Sequence, residues 1–292
     1  MKAAVVIPTY GRQEPLWRCL RAVACMTPAP AVTLVVDGND PPLRFPSDVA
    51  QVAEVIREPN KGAAHARNVG WQAAADRGAD VVCFLDDDAV ASPDWYSRHV
   101  ALHEQMAGSG AVGGGVRNLH EDSVVARMTQ AVIFKDIRED PGPVRFVPTL
   151  NASFKVRALQ DVGGFDEAFP GAAGEDVDLC WRILKAGWTI HYQPDLSVVH
   201  DHPTSWRTMV RHQAGYARGF VQSRSRWGNL PGSEFLRIGW GRAIVGSLPH
   251  IARETRRDVH DGGPSILVAS LVRETVFRWE ALRARARLER TL

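Results

Sequence analysis

The sequence predicts an α/β fold, a mostly parallel sheet covered by helices, followed by a C-terminal amphipathic helical appendage. Three observations carry this. Residues 1–107 alternate short apolar runs with segments of helical apolar spacing, the pattern of parallel, helix-covered sheets. The run Val81-Val82-Cys83-Phe84-Leu85 is followed without a spacer by Asp86-Asp87-Asp88. Adjacent like charges repel and a buried unpaired carboxylate is costly, so this strand must end in a wet crevice or against a cation. In open α/β sheets the carboxyl ends of the strands are where ligands bind. After His202-Pro203 the texture changes to arginine-rich stripes.

Each element follows from its residues. Residues 2–7 read as the first strand and Pro8-Thr9-Tyr10-Gly11 as a loop. Leu16, Leu20 and Val23 give residues 14–26 helical spacing, and residues 31–36 form a second strand ending in the turn Asp37-Gly38-Asn39-Asp40. A short third strand covers 52–57, an Ala-rich helix 62–77, the fourth strand 81–85 and a helix 93–106, with Pro93 suited to its first turn. The letters Gly108-Ser109-Gly110-Ala111-Val112-Gly113 match a dinucleotide fingerprint. They follow a helix and lead into a strand, the reverse of the order that fingerprint needs, so it is rejected. Residues 117–148 are poorly patterned and read as loop and edge structure. Asn151–Phe154 is a short strand, Gly163-Gly164-Phe165-Asp166 a turn, and 179–185 a helix that Gly187 ends. Residues 188–192 and 197–200 read as two short strands. Three apolar stripes follow: Trp206 to Phe220, Leu236 to Ile251 and Val268 to Leu282.

Composition sets the bounds. At 292 residues the chain holds one large domain, or one domain and a smaller appendage. Its 45% hydrophobic and 23% charged content is that of a soluble globular protein. The first apolar run is too short for a signal peptide, and the longest charge-free run, residues 22–36, is broken by Pro28 and Pro30. Four scattered cysteines lack metal spacing and read as free thiols in a reducing compartment, so a cytoplasmic location is expected. Residues 1–204 carry a net charge of −7 and residues 205–292, with 16 Arg and no Lys, carry +9. A division into 1–204 and 205–292 is therefore expected.

On residue type alone, the carboxylates after Leu85 suit Mg²⁺ or Mn²⁺ with substrate phosphates completing the shell. They equally suit an acidic turn in which Asp88 or Ser92 caps the next helix. Further motifs separate the two: Val5-Val6-Ile7-Pro8-Thr9-Tyr10, Val35-Val36-Asp37-Gly38, Asn60-Lys61-Gly62 running into Ala66-Arg67-Asn68-Val69-Gly70, Phe84-Leu85-Asp86-Asp87-Asp88, Gly163-Gly164-Phe165-Asp166-Glu167, Gly174-Glu175-Asp176-Val177-Asp178-Leu179, and Val198-Val199-His200. Together, over residues 2–202, they resemble the inverting glycosyltransferases of family 2, which have the GT-A fold. The turn Asp37-Gly38-Asn39-Asp40 departs from the family's usual acidic turn but keeps Asp37.

The resemblance implies a metal-dependent hexosyltransferase that moves a sugar from a nucleotide-diphosphate donor to an acceptor hydroxyl. It implies Mn²⁺ or Mg²⁺ at a DXD motif, with Asp88 as first ligand and His200 as a further one. The plainer reading of His200 is a surface histidine beside Asp201 and His202; imidazole is softer than Mg²⁺ prefers, and Mn²⁺ tolerates it better. Asp86 is expected at the ribose, and Asp87, grouped with the donor-binding residues, is expected to turn away or cap the helix. Asp37 would meet the nucleobase edge, with Pro8, Thr9 and Tyr10 shaping the base pocket. Arg67 would face the diphosphate or tie the loop through Asp37, with Lys61 more exposed. The family pattern makes Asp176 the base, and Glu175 an acceptor contact or a support for Asp176. A carboxylate at a helix N-terminus is favoured as the anion, so Asp176 is expected to be ionised; the plainer reading is a cap.

The family suggests UDP or dTDP over GDP. The acceptor is a glycan, a lipid-linked saccharide or a small molecule. The helices of 205–292 either pack on the body or on a second subunit, or rest an Arg-rich face on anionic lipid at the inner membrane face. No nucleic acid is expected, because Trp206, Trp227, Trp240 and Trp279 fit helix stripes rather than a stacking surface. Two rival readings stand: a sugar-1-phosphate nucleotidyltransferase, and a catalytically silent nucleotide-sugar-binding protein.

Overall fold

The computed structural model describes residues 1–133, 141–169, 171–227, 249, 251–256, 258–260 and 267–288. Two compact units divide the chain. The first comprises Met1–Arg117, Ile137–Ala168 and Glu175–Asp201; the second comprises Asn118–Asp136, Phe169–Gly174 and His202–Leu292. The second unit thus combines the C-terminal part of the chain from His202 with two segments from earlier in it.

In order, the elements are β1 (Ala3–Thr9), α1 (Gln13–Ala24), β2 (Val32–Asp37), β3 (Glu54–Arg57), α2 (Ala63–Asp76), β4 (Val81–Leu85), β5 (Ala89–Ala91), α3 (Trp95–Gln105), β6 (Ser109–Asn118), α4 (Val124–Ile133), β7 (Gly142–Pro143), β8 (Asn151–Lys155), α5 (Val156–Val162), α6 (Glu175–Lys185), β9 (Thr189–His200) and α7 (Trp206–Trp227). A last helix, α8, spans Leu267–Leu288. The strands form one sheet in the order β3-β2-β1-β4-β8-β6-β9-β5, with β7 beside β9.

The first four strands are parallel, as the strand–helix alternation requires, with Ile7 opposite Val35 and Val6 opposite Phe84. The apolar runs of β1, β2 and β4 are buried on both faces because successive side chains alternate sides, whereas β3, at the edge of the sheet, is largely exposed. Val6, Val36 and Phe84 meet Trp71 and Ala74 of α2 and Leu179 and Ile183 of α6. Val5, Val35 and Leu85 meet Leu16, Trp17 and Leu20 of α1 and Trp95 of α3. Burying each of these large side chains contributes about 1.5–3 kcal/mol. Beyond β4 the sheet is mixed: β8 runs antiparallel to both β4 and β6, and β9 antiparallel to β5 and β7. Parallel neighbours need a crossover, and the strand–helix repeat that supplies one stops after α3.

Residues 188–192 and 197–200 lie in one strand, β9, with Pro194 inside it. Pro194 falls between two short pairings, β7 with His191 and Tyr192 and β5 with Val198 to His200. Its missing N–H therefore interrupts neither of these two pairings. The Gly-rich stretch lies within β6 rather than in a phosphate loop. A Cβ on Gly114 would stand 1.8 Å from the Leu196 carbonyl oxygen. The buried Asn151 side chain fills this junction, donating to the Gly115 and Leu196 carbonyls at 2.7 and 2.8 Å and accepting from Trp95 Nε1 at 2.8 Å.

In the second unit, α4 lies where loop was expected. Val125 and Met128 bury against Met209 of α7 and Ala269 of α8. Ala217 and Val221 of α7 pack with Ala281 and Leu282 of α8. Two of the α8 arginines turn inward: Arg273 pairs with Asp258 and Glu274, and Arg278 Nε lies 3.5 Å from Glu274. The stripe expected through Leu236, Trp240, Ile244 and Leu248 lies outside the described residues. Among the described residues, no helix is long and apolar enough to cross a membrane.

Candidate active site

The carboxyl end of β4 delivers Asp86, Asp87 and Asp88 in a tight turn, closed by the Ala89 N–H donating to the Asp86 carbonyl at 3.0 Å. The chain then enters β5, which pairs Ala89 with His200 at the end of β9, and the Asp201 N–H donates to the Asp88 carbonyl at 3.0 Å. This pairing, absent from the sequence expectation, carries His200 across the chain to Asp88, Nε2 to Oδ1 at 3.0 Å. Ligand atoms of Asp86, Asp88 and His200 all lie within 4.8 Å of one another. Burial pushes the Asp88 carboxyl up, but the His200 hydrogen bond and the charges of His200 and Arg12 outweigh it and leave Asp88 below the usual carboxylate range. For His200, burial favours the neutral ring, and the Asp88 hydrogen bond with the charges of Asp88 and Asp86 reverses this and raises it.

Asp87 neither turns away nor caps α3, whose N-cap is Asp94. It is buried, accepts from Thr9 Oγ1 at 2.7 Å and lies 3.2 Å from Arg12 Nε. Burial pushes its carboxyl up to about 7. Asp87 thus fastens the end of β1 to the end of β4. Arg12, which also pairs with Asp88, is absent from the expected set. The signal was a lone cation in the loop after β1, whose neighbouring strand ends in three carboxylates.

At the end of β2, Asp37 is fully buried. Its Oδ1 accepts from the Asn39 N–H and Nδ2 at 2.8 and 2.7 Å, and its Oδ2 accepts from the Leu43 N–H at 3.1 Å and pairs with Arg57. Burial raises this carboxyl, but those bonds, led by Asn39, pull it below the usual range. These contacts engage both oxygens of Asp37 and hold the turn after β2 in shape. Gly11 N–H donates to Asn39 Oδ1 at 2.7 Å and joins the β1 and β2 loops. Tyr10 is exposed, Pro8 half-buried, and Lys61 exposed with its N–H donating to Glu58 at 3.3 Å.

Arg67 does not tie the loop through Asp37, a place that Arg57 takes. It is buried on α2 and shared between Glu175 Oε1 at 2.7 Å and Asp86 Oδ1 at 3.2 Å, with its guanidinium 5.9 Å from the Phe165 ring. One cation therefore bridges the acidic tip of β4 and the acidic first turn of α6. Glu175 is buried with no hydrogen-bond partner for Oε2, and burial together with the Asp176 charge pushes it up to about 7 against the pull of Arg67. Asp176 is half-buried, and its Oδ1 accepts the Val177 N–H at 2.8 Å. Burial raises its carboxyl above the usual aspartate range, against the pull of Arg67 and of the backbone N–H groups at the helix start.

The turn before this helix is held by side chains. Gly163 and Gly164 have φ of 75° and 71°, a left-handed conformation that glycine adopts without steric cost. Arg182 donates to the Val162 and Gly164 carbonyls at 2.8 and 2.6 Å. Asn68 accepts the Phe165 N–H at 2.8 Å and donates to the Phe165 carbonyl at 2.9 Å. Asp166 accepts the Ala168 N–H at 3.0 Å within its own turn.

Residues 2–218 match the family model described as "Glycosyltransferase like family 2". A pre-mycofactocin glycosyltransferase of Mycobacterium tuberculosis is 32% identical over 222 residues, 73% of this chain and 45% of that protein. A glucosyl-dolichyl phosphate glucuronosyltransferase of Haloferax volcanii is 31% identical over 68% of this chain and 69% of its own length. The chain spans about half the length of the M. tuberculosis relative. Among solved structures, a mannosyltransferase of Pyrobaculum calidifontis in complex with GDP-Man and Mn²⁺ superposes with a TM-score of 0.58 at 18% identity, covering 94% of this chain and 87% of that one. At that identity the likeness speaks for the fold alone, and the fold is the GT-A arrangement. The match over residues 2–218 places the chain in the family: it belongs to glycosyltransferase family 2.

Proposed function

We propose that this protein transfers a hexose from a nucleotide-diphosphate sugar to an acceptor hydroxyl with inversion at the anomeric carbon. The observation that carries the reading is the cluster of Asp86, Asp88 and His200 at the tip of β4, joined through Arg67 to Glu175, the neighbour of Asp176 in the first turn of α6. Two carboxylate oxygens and an imidazole nitrogen fit a divalent cation, Mn²⁺ more readily than Mg²⁺. Asp86, Asp88 and His200 would hold it, and the chemistry it would supply there is Lewis-acid neutralisation of the charge on a departing diphosphate.

The remaining work falls to this chain's own groups. The acceptor oxygen attacks the anomeric carbon from the face opposite the diphosphate. The new carbon–oxygen bond forms as the old one breaks, and the diphosphate leaves with the bonding pair. Asp176 takes the hydroxyl proton. A carboxyl raised from its usual range is better matched to that task near neutral pH than an ordinary aspartate. Glu175, gripped by Arg67, holds the first turn of α6 in place. Pro8, Thr9 and Tyr10 line the loop that would receive the base, and Asp37 keeps that loop in shape.

The relatives' names span a lipid-linked saccharide and, in validoxylamine A glucosyltransferases, a small molecule. The acceptor class here is a glycan, lipid-linked or small-molecule hydroxyl, with UDP or dTDP as the favoured nucleotide and a cytoplasmic site of action. Exposed Leu267, Val268, Leu271 and Trp279 of α8 are the groups that would touch a membrane surface; failure to sediment with anionic vesicles at low salt removes that contact. The activity is tested by thermal shift across nucleoside diphosphates and nucleotide sugars with and without Mn²⁺. The reading expects stabilisation by one nucleotide class that depends on Mn²⁺ and vanishes in Asp88→Ala. Equal stabilisation without the ion contradicts the metal role. Pyrophosphate release from a nucleoside triphosphate would favour the nucleotidyltransferase, and binding without turnover the silent protein.

A further inference from the structure

Arg12 immediately precedes α1, yet its side chain makes no capping hydrogen bond to that helix. The guanidinium instead turns to the tip of β4. Its Nε lies 3.2 Å from Asp87 Oδ1, and a terminal nitrogen pairs with Asp88 Oδ2. Asp88 is thereby divided, with Oδ1 facing His200 and Oδ2 facing Arg12. Both candidate ligand carboxylates carry an arginine, but the two differ in freedom. Arg67, on Asp86, has 5% side-chain exposure, whereas Arg12 has 49% and reaches its nearly sealed partners from the solvent side. Around it stand Asp86, Asp87, Asp88 and Asp201, the last also paired with Arg18 at 2.6 Å. A long, half-exposed cation on a buried carboxylate can be exchanged for another cation; a buried one held at both ends cannot.

We propose that Arg12 is the resting counter-ion of Asp88 and competes with the divalent cation for it, a positioning residue that keeps cation affinity low until the donor's diphosphate arrives. This rests on the reading of Asp86, Asp88 and His200 as the metal site. A guanidinium and a divalent ion on one carboxylate repel each other at short range in a poorly solvated site. The negative charge of a diphosphate offsets that repulsion. Cation and donor then bind together, and the bare site does not fill with a cation that would have to wait for substrate.

The test is Mn²⁺ binding to the full chain without nucleotide, read from the electron paramagnetic resonance signal of free Mn²⁺, so activity plays no part. Arg12→Gln is expected to bind Mn²⁺ about tenfold more tightly than the wild type, because one nearby positive charge is gone. Arg12→Met, which keeps the aliphatic stem, gives the same gain should the amide variant fold poorly. Arg12→Lys keeps the charge and stays within about threefold of the wild type. Adding UDP or GDP tightens Mn²⁺ binding in the wild type more than in Arg12→Gln. Equal or weaker Mn²⁺ binding by both neutral variants overturns the role of Arg12 while leaving the metal site standing. Binding no tighter than that of Asp88→Asn in every one of these proteins removes the metal site itself, and this inference with it.

Discussion

Replacing Glu175 by Gln should change how stability depends on pH, by an amount the structure allows to be worked out. Glu175 is 2% exposed, with one oxygen on Arg67 and the other without a hydrogen-bond partner, and burial lifts it from its ordinary 4.5 to about 7. Between those values the folded protein holds a proton that the unfolded chain has released. The stability from this group is therefore fully present below about pH 4.5 and lost as pH rises through about 7. One proton is worth about 1.4 kcal/mol per pH unit, so the whole interval amounts to about 3 kcal/mol. Glutamine cannot titrate and keeps nearly the same shape. Whatever Glu175→Gln loses by weakening its contact with Arg67 is an offset that pH does not change. Urea unfolding of both proteins at several pH values from 5 to 8 should show the variant gaining about 3 kcal/mol on the wild type across that range. A constant difference, or one that moves the other way, refutes the argument that burial and Asp176 hold Glu175 protonated near neutrality.

Two other positions give outcomes of opposite kind. His99 and His103 are buried on Ser153 Oγ, at 2.8 Å each, and burial pushes them down to about 3 and about 4. Both remain neutral while the unfolded chain takes up protons, so their contribution is present above 6.5 and lost as pH falls toward those values. His103→Gln should therefore gain on the wild type by about 1.4 kcal/mol per pH unit from pH 6 to pH 4.5, and a flat difference in denaturant midpoints counts against it. Gly114→Ala would place a methyl carbon 1.8 Å from the Leu196 carbonyl oxygen and 2.5 Å from Asn151 Nδ2. It should cost about 3 kcal/mol in thermal unfolding, whereas Gly108→Ala, with nothing within 4 Å, should be close to neutral; equal melting of the two would mean that β6 and β9 do not approach so closely.

Much of the first unit is legible in its residues, because fully buried parallel strands leave unbroken apolar runs. Val81–Leu85 is read with its observed bounds, and β1 and β2 to within two residues. What cannot be read is anything that depends on partners far apart in the chain. His200 reaches Asp88 only because the three-residue strand β5 pairs with β9, and three residues leave no periodicity to detect. Arg67 meets Glu175 across a separation of 108 residues, so the motif names both residues without revealing that they touch. Burial is equally hidden: local chemistry at a helix N-terminus pulls the Asp176 carboxyl down, and the surrounding protein moves it up. Helix α4 escapes because only Val125, Met128 and their neighbours carry its stripe, between polar flanks, and its partners lie on α7 and α8. Pro194 divides β9 into two apparent strands because a proline within a strand normally ends pairing.

Asp176 is the group on which sugar transfer depends most closely. In Asp176→Asn the side chain keeps its size and can still accept the Val177 N–H, but it can no longer take a proton from the acceptor. With the nucleotide sugar selected by the thermal-shift screen, donor affinity and single-turnover transfer are measured on the same preparation. The expected result is donor binding within about threefold of the wild type and transfer slowed by at least about a hundredfold, the low end for loss of a general base. Transfer within a few fold of the wild type, with donor binding intact, would mean that Asp176 is not the base.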